Sequence, residues 1–148
     1  MKLCIACSAG GHLSEVQQIE EYYNKHKHFF ITFKRLDSVE LSKKNKVYFV
    51  VDPKRNPLNL IHNFIQSFFI LLKENPDAII STGAGVALPS LLISKIMRKK
   101  TVFIESFCRI YSPSLSGRIA YKFADLFLVQ WKENQKFFPK AKFKGAVF

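Results

Sequence analysis

No run in this sequence is long and apolar enough to cross a bilayer. The longest hydrophobic segment, Leu58–Leu72, is interrupted by Asn59, His62, Asn63, Gln66 and Ser67. It falls short of the roughly 20 apolar residues that a spanning helix needs. Cysteine is scarce, and three thiols cannot all pair, which fits a reducing compartment better than a disulfide framework. Cys4 and Cys7 have C-x-x-C spacing, but on a strand that spacing turns them to opposite faces, so no redox or metal pair is expected. The dinucleotide pattern G-x-G-x-x-G is missing, and the second predicted strand runs into Lys34-Arg35 where a ribose-binding acid would stand. Internal repeats, low-complexity tracts and an interdomain linker are also absent.

Acidic residues are few, 11 against 23 basic ones, giving a formal charge of +12. Such an excess implies an anionic partner: nucleic acid, an acidic membrane surface or a phosphate-bearing substrate. With 148 residues, 48% of them apolar and 15 of them phenylalanine, the chain can bury one sizeable core, and a single domain over 1–148 is expected. The N-terminal apolar stretch Leu3–Ala9 has the length of a strand and is followed at once by Gly10-Gly11-His12. A secretory leader is therefore not expected there, and the chain is expected in the cytoplasm.

Short β-branched or aromatic runs alternate with longer amphipathic ones, the pattern of a parallel sheet wrapped by helices. Strands are predicted at Lys2–Cys7, Phe29–Phe33, Val47–Val51, Ala78–Ser81, Thr101–Glu105 and Leu126–Val129. Helices are predicted at Leu13–Lys25, Pro57–Lys73, Val86–Met97, Ser114–Lys122 and Lys132–Phe138. Asn56-Pro57 opens one of these helices, Asn75-Pro76 closes it, and Pro139 ends the last. The expected fold is a Rossmann-like α/β sheet with helices on both faces. Ligands of such sheets bind beyond the carboxyl ends of the strands, where loops converge.

Three predicted loops lie on that edge. Ser8-Ala9-Gly10-Gly11-His12 turns sharply from strand to helix and suits a diphosphate cradle, with a plain tight turn as the alternative. His12, a neutral imidazole at the positive end of a helix dipole, suits a general base or a ligand contact without chemistry. Glu15, one turn on, reads either as a first-turn acid or as a catalytic carboxylate. The second loop, Ser81-Thr82-Gly83-Ala84-Gly85, either faces the first across a site or is simply a close βα connection. The third, Glu105–Arg118, starts with a carboxylate at a strand end and supplies Arg109, several hydroxyls and a helix start near Ser114. That set suits a sugar and a phosphate held together.

Ile61, Phe64, Ile65, Phe68 and Leu72 recur at helical spacing, as in any crossover helix packed on a sheet. Leu60, Phe69, Ile70 and Leu71 widen that arc, so the other reading places Phe64, Phe68 and Phe69 on lipid, with Lys54, Arg55 and Lys73 facing phosphates. The Lys95, Arg98, Lys99 and Lys100 cluster suits the same surface or a solvated helix end.

Four segments, Ser8–His12, Ser81–Gly85, Ile104–Arg109 and Phe123–Trp131, together resemble the PssD and Alg-fourteen family of oligosaccharide biosynthesis proteins over nearly the whole chain. The resemblance implies the N-terminal half of a GT-B glycosyltransferase similar to MurG, with a separately encoded chain binding the nucleotide sugar. It further implies capsule or exopolysaccharide synthesis, a polyprenyl-diphosphate-linked sugar as acceptor, and peripheral association with the anionic inner face of the cell membrane. Ser8, Gly10, Gly11, Thr82, Gly83, Gly85, Arg109 and Ser114 are then expected at the acceptor and its diphosphate, and His12 and Glu105 as catalytic groups. The apolar tail Lys144–Phe148 suits a partner contact, a last edge strand or a frayed terminus, and Trp131, Val147 and Phe148 are the expected partner interface. No cofactor, metal or nucleic acid is expected. Two rivals remain: a non-catalytic anchor that activates a partner transferase, and a basic nucleic-acid-binding domain, which no recognisable module supports.

Overall fold

The computed structural model describes residues 1–148. Seven strands, β1 (Lys2–Cys7), β2 (Lys27–Thr32), β3 (Val47–Phe49), β4 (Ala78–Gly83), β5 (Lys100–Ile104), β6 (Leu126–Val129) and β7 (Lys142–Phe143), form one sheet. Its order is β3-β2-β1-β4-β5-β6-β7, and every pair is parallel. The Rossmann-like expectation therefore holds, and the order reverses between β1 and β4, the switch point where ligands of such sheets bind. The two-residue β7 extends the six strands expected from the sequence.

Alternation along the strands sends side chains to two cores. Cys4, Ala6, Phe29, Ile31, Ile79, Phe103 and Phe127 belong to one, beneath α4 (Pro57–Glu74), α5 (Leu88–Ile96) and α6 (Leu115–Ala120). Leu3, Ile5, Cys7, Phe30, Ile80 and Ile104 belong to the other, beneath α1 (Gly11–Gln17), α2 (Glu20–Tyr23) and α3 (Leu36–Ser42). Cys4 and Cys7 thus face opposite sides, and burial pushes the Cys7 thiol up to about 12. Both are packing residues, not nucleophiles.

The helix expected over Leu13–Lys25 is two. The chain tightens where the Gln18 and Ile19 N–H groups donate to Glu15 and Val16, three residues back. It restarts at Glu20, and Tyr23 swings into the core edge-on to Phe30. α3 has no counterpart among the predicted helices because its apolar signal is thin: only Ser38 and Leu41 are buried, and Leu36 is 92% exposed.

Helix α4 departs most from a crossover helix packed by its apolar stripe. Its buried positions are Asn63, Ser67, Leu71 and Glu74, whereas Ile61, Ile65, Phe68, Phe69 and Leu72 are exposed. Hydrogen bonds explain the inversion. Asn63 Nδ2 donates to the carbonyls of Val51 at 2.8 Å and Val86 at 3.3 Å, Ser67 donates to Asn63 Oδ1, and Ser90 of α5 donates to Ser67. A satisfied polar ladder seats α4 on its neighbours and leaves the apolar stripe facing outward. No helix is long and apolar enough to cross a membrane.

At the amino edge of the sheet, Glu74 ties α4 to two strands. Lys46 donates to Oε1 at 2.6 Å, Lys2 pairs with Oε2 at 2.7 Å, and the Tyr48 hydroxyl donates to Oε1 as well. Burial works to raise this carboxyl's pKa, but the bonds from Lys2, Lys46 and Tyr48 outweigh it and hold it at about 2. A carboxylate lowered in the folded state stabilises the fold above its unfolded value of about 4.3, and that contribution is lost as pH falls towards the folded value. Chemical denaturation of Glu74→Gln should show a loss of about 2 kcal/mol at neutral pH. Acidification from pH 5 to pH 3 should then weaken the variant less than the wild type; an equal acid response in both would contradict this role.

Candidate functional site

Loops leaving β1, β3, β4 and β5 enclose a cleft of about 600 Å³ at the carboxyl edge of the sheet. Gly11, His12 and Glu15 come from the first, Ala84 and Gly85 from the third, and Ser106, Cys108, Arg109, Ser114 and Ser116 from the fourth. The second, absent from the sequence-based site, contributes Asp52, Pro53, Lys54 and Arg55. Lys54 and Arg55, expected towards lipid phosphates, thus share a cleft with His12. Lys54 (φ 43°), Arg55 (φ 60°) and Ala84 (φ 70°) all hold left-handed backbone, and all three line this cleft. Strain of this kind persists where the surroundings over-determine it, as they do around a functional site.

His12 is fixed from three sides. Its carbonyl accepts from the buried Thr82 hydroxyl at 2.7 Å. Its ring rests against Gly83, where the φ of +117° favours glycine and an added Cβ would stand 3.3 Å from Cε1, close enough to press on the ring. Its Nδ1 lies 3.6 Å from Glu15 Oε2. The side chain is 26% exposed, and Nδ1 is enclosed, so the ring opens to the cleft through Nε2.

Glu15 bridges the first and last loops. Its Oε1 accepts the Ser106 hydroxyl at 3.0 Å and the Phe107 N–H at 2.8 Å. The sequence offered two readings of Glu15, and the fold makes it a buried acceptor reaching across more than 90 residues of chain. Glu105 is placed differently from a catalytic carboxylate. It is fully buried, does not line the cleft, and accepts the N–H groups of Ser106 at 3.0 Å and Ser114 at 3.3 Å. It holds the two ends of its loop together instead of reaching a substrate.

The glycine turn is also partly occupied. Asp37, at the start of α3, accepts the Gly10 N–H at 2.5 Å, and Arg35 packs over the same glycine. Gly10 is therefore held from behind, and Ser8, whose N–H donates to the Gly83 carbonyl at 3.4 Å, does not line the cleft, while Gly11 and Gly85 line it with open space where a Cβ would stand. Thr82 and Gly83 support His12, and Ser114 caps α6 by accepting the Gly117 N–H at 2.8 Å. The contacts of Arg35 and Asp37 with Gly10 had no signal in the sequence, since both residues lie far from that glycine along the chain.

Outside the cleft, Phe68 and Phe69 stand exposed on α4, and Phe64 is half-buried in an apolar groove with Leu60, Leu88, Leu92 and Ile119. On the opposite face of the sheet, Ile80, Val102, Ile104, Leu126 and Leu128 line an apolar groove of about 480 Å³ bordered by Lys144–Val147. Trp131 donates to the Phe107 carbonyl at 2.7 Å, and Phe148 meets the Phe107 ring edge-on. Gln130 donates to the Glu105 carbonyl and accepts the Val147 N–H, both at 3.0 Å.

Residues 52–147 match the family model described as oligosaccharide biosynthesis protein Alg14 like. The UDP-N-acetylglucosamine transferase subunit ALG14 of Homo sapiens is 31% identical over 93 residues, which is 59% of this chain and 43% of that protein. The UDP-N-acetylglucosamine--N-acetylmuramyl-(pentapeptide) pyrophosphoryl-undecaprenol N-acetylglucosamine transferase of Borreliella burgdorferi is 27% identical over 90% of this chain and 40% of its own length. The matched region therefore spans about two fifths of these relatives. Among solved structures, UDP-N-acetylglucosamine 2-epimerase of Rickettsia bellii superposes with a TM-score of 0.80 at 16% identity, covering 99% of this chain and 45% of that one. MurG of Acinetobacter baumannii superposes with a TM-score of 0.74 at 11% identity, covering 90% and 43%. The fold is thus that of the N-terminal half of GT-B proteins.

The cleft's fourth wall depends on Gly117, where a Cβ would meet Ser114 Oγ at 2.8 Å and Glu105 Cδ at 2.9 Å, with the Glu105 carboxylate closer still. Gly117→Ala should displace that carboxylate, destabilise the fold by about 1–3 kcal/mol in a denaturation curve, and loosen residues 106–114 to proteolysis. Unchanged stability and cleavage would contradict the tight packing of Glu105 beneath α6.

Proposed function

The chain belongs to the Alg14-like oligosaccharide biosynthesis family, and from that premise we propose that it is the acceptor-side subunit of a two-chain glycosyltransferase. Its 148 residues act as one Rossmann-like domain. A separately encoded subunit binds a nucleotide sugar, and this chain presents a polyprenyl-diphosphate-linked sugar, as in the capsule and exopolysaccharide members that the sequence resembles. Neither subunit transfers sugar alone.

One observation carries this reading: a histidine opens onto a cleft that also presents Lys54, Arg55 and Arg109. Three cations suit a diphosphate, arginine forks especially, and open backbone at Gly11 and Gly85 lets the ligand approach closely. His12 then accepts the proton of the acceptor hydroxyl as that oxygen attacks the anomeric carbon. The bond from that carbon to the nucleotide diphosphate breaks, and the partner's half receives the departing charge. Glu105, enclosed beneath α6, keeps the loop in shape and takes no proton.

The exposed stripe on α4, together with Leu92 of α5 and Ile119 of α6, which line one groove with Leu60 and Phe64, supports peripheral docking on an anionic membrane. Exposed apolar patches mark interaction surfaces, and here the stripe begins at the N-terminal end of α4, which Lys54 and Arg55 precede. The apolar groove under the C-terminal tail supports contact with the donor-side subunit on the other face, involving Trp131, Val147 and Phe148.

Two measurements test this reading. With the donor-side subunit present, His12→Ala should lower sugar transfer on the order of 10²- to 10⁴-fold. Full activity in that variant would make the chain an anchor and activator of its partner instead. Phe68→Ser with Phe69→Ser should reduce co-sedimentation with vesicles containing anionic lipid by on the order of 10-fold, and unchanged sedimentation would remove α4 from the membrane surface.

A further inference from the structure

We propose that Glu15 is a positioning residue that holds His12 with its proton on Nδ1, leaving Nε2 as the proton acceptor in the cleft. This inference rests on the reading of His12 as the base.

Two buried polar atoms in this region lack any hydrogen-bond partner, His12 Nδ1 and Glu15 Oε2, and they face each other at 3.6 Å. A buried carboxylate oxygen left without a donor is costly, and so is an enclosed imidazole nitrogen. Closing the gap by about half an ångström, within the tightening that catalytic contacts undergo on ligand binding, satisfies both. Nδ1–H then donates to Oε2, and the neutral ring keeps its lone pair on Nε2, the nitrogen that opens to the cleft.

Glu15 is held rigidly enough for this role. It is 3% exposed, and its other oxygen is fixed by the Ser106 hydroxyl and the Phe107 N–H. One carboxylate thereby couples the loop carrying Arg109 to the orientation of the base. The chain spacing serves the geometry as well, since residues three apart on α1 share a face.

The hydrogen-bond pattern suggests a variant that separates orientation from packing. In Glu15→Gln the amide oxygen can take over the bonds from Ser106 and Phe107, which leaves the NH₂ facing His12 Nδ1. That NH₂ donates, so the neutral ring must move its proton to Nε2 and can no longer accept one from a substrate. Nitrogen-15 spectra of histidine-labelled full-length chain, recorded at ~pH 8.5 where a histidine of ordinary pKa is neutral, report which nitrogen carries the proton. The four histidines are distinguished by the loss of one signal set in His12→Gln.

The expected result is an Nδ1–H tautomer for His12 in the wild type and an Nε2–H tautomer in Glu15→Gln. With the donor-side subunit present, transfer should fall on the order of 10³-fold or more in that variant, as when a carboxylate that sets a histidine tautomer becomes an amide. A wild-type ring protonated on Nε2 overturns the proposal without any variant. So does an unchanged tautomer in Glu15→Gln. A tautomer switch with full transfer activity keeps the Glu15 pairing and overturns the base role of His12 instead.

Discussion

A carboxylate without solvent contact must find its donors inside the protein, and Glu105 at the end of β5 finds them at both ends of its own loop. The N–H groups of Ser106 and Ser114 bond to its two oxygens, so the intervening residues are closed into a bulge that carries Cys108 and Arg109 towards the cleft. Hydrogen bonds to an ionised group are among the stronger ones available, which suits them to fixing a long polar loop. The same residue reaches further through its backbone. Its carbonyl accepts from Gln130, whose other end accepts from Val147, so the cleft wall, the end of β6 and the C-terminal tail share one network.

That network divides the labour among the acids of the site. Glu105 shapes the loop, Glu15 spans from α1 to the same loop, and Asp37 closes the glycine turn from behind. None of the three is free in the cleft as a bare charge. Asp52 also lines the cleft and accepts the Lys54 N–H at 3.3 Å; His12 and the cations Lys54, Arg55 and Arg109 stand beside it, and the excess of cations suits an anionic ligand that brings a hydroxyl.

The two faces of α4 follow a related logic. A sheet of this order needs a helix to cross from β3 to β4, and an apolar face could have filled that place. Here Asn63, Ser67 and Ser90 seat it through mutually satisfied hydrogen bonds. The apolar residues are thereby released to the outside, beside the cleft. A helix that would otherwise spend its hydrophobic stripe on the core keeps that stripe for an external surface.

Much of this was legible beforehand. Strand alternation, the Asn56-Pro57 helix start and the glycine turns are local signals, set by backbone sterics and side-chain periodicity, and they located six of the strands and the loops of one edge. The thin helix α3 and the break between α1 and α2 escaped because two buried positions, Ser38 and Leu41, and one tightened turn leave little periodicity to read. The sequence by itself determined the class of fold, the edge on which its loops gather and the identity of His12 as a candidate base. Only the tertiary structure decided which face of α4 is buried, that Lys54 and Arg55 join the cleft, and that Glu15 meets His12 while Glu105 is enclosed. Those outcomes depend on contacts between residues far apart along the chain, such as Glu15 with Ser106 and Phe107, and a carboxylate's role is set by the donors around it, which local pattern does not encode.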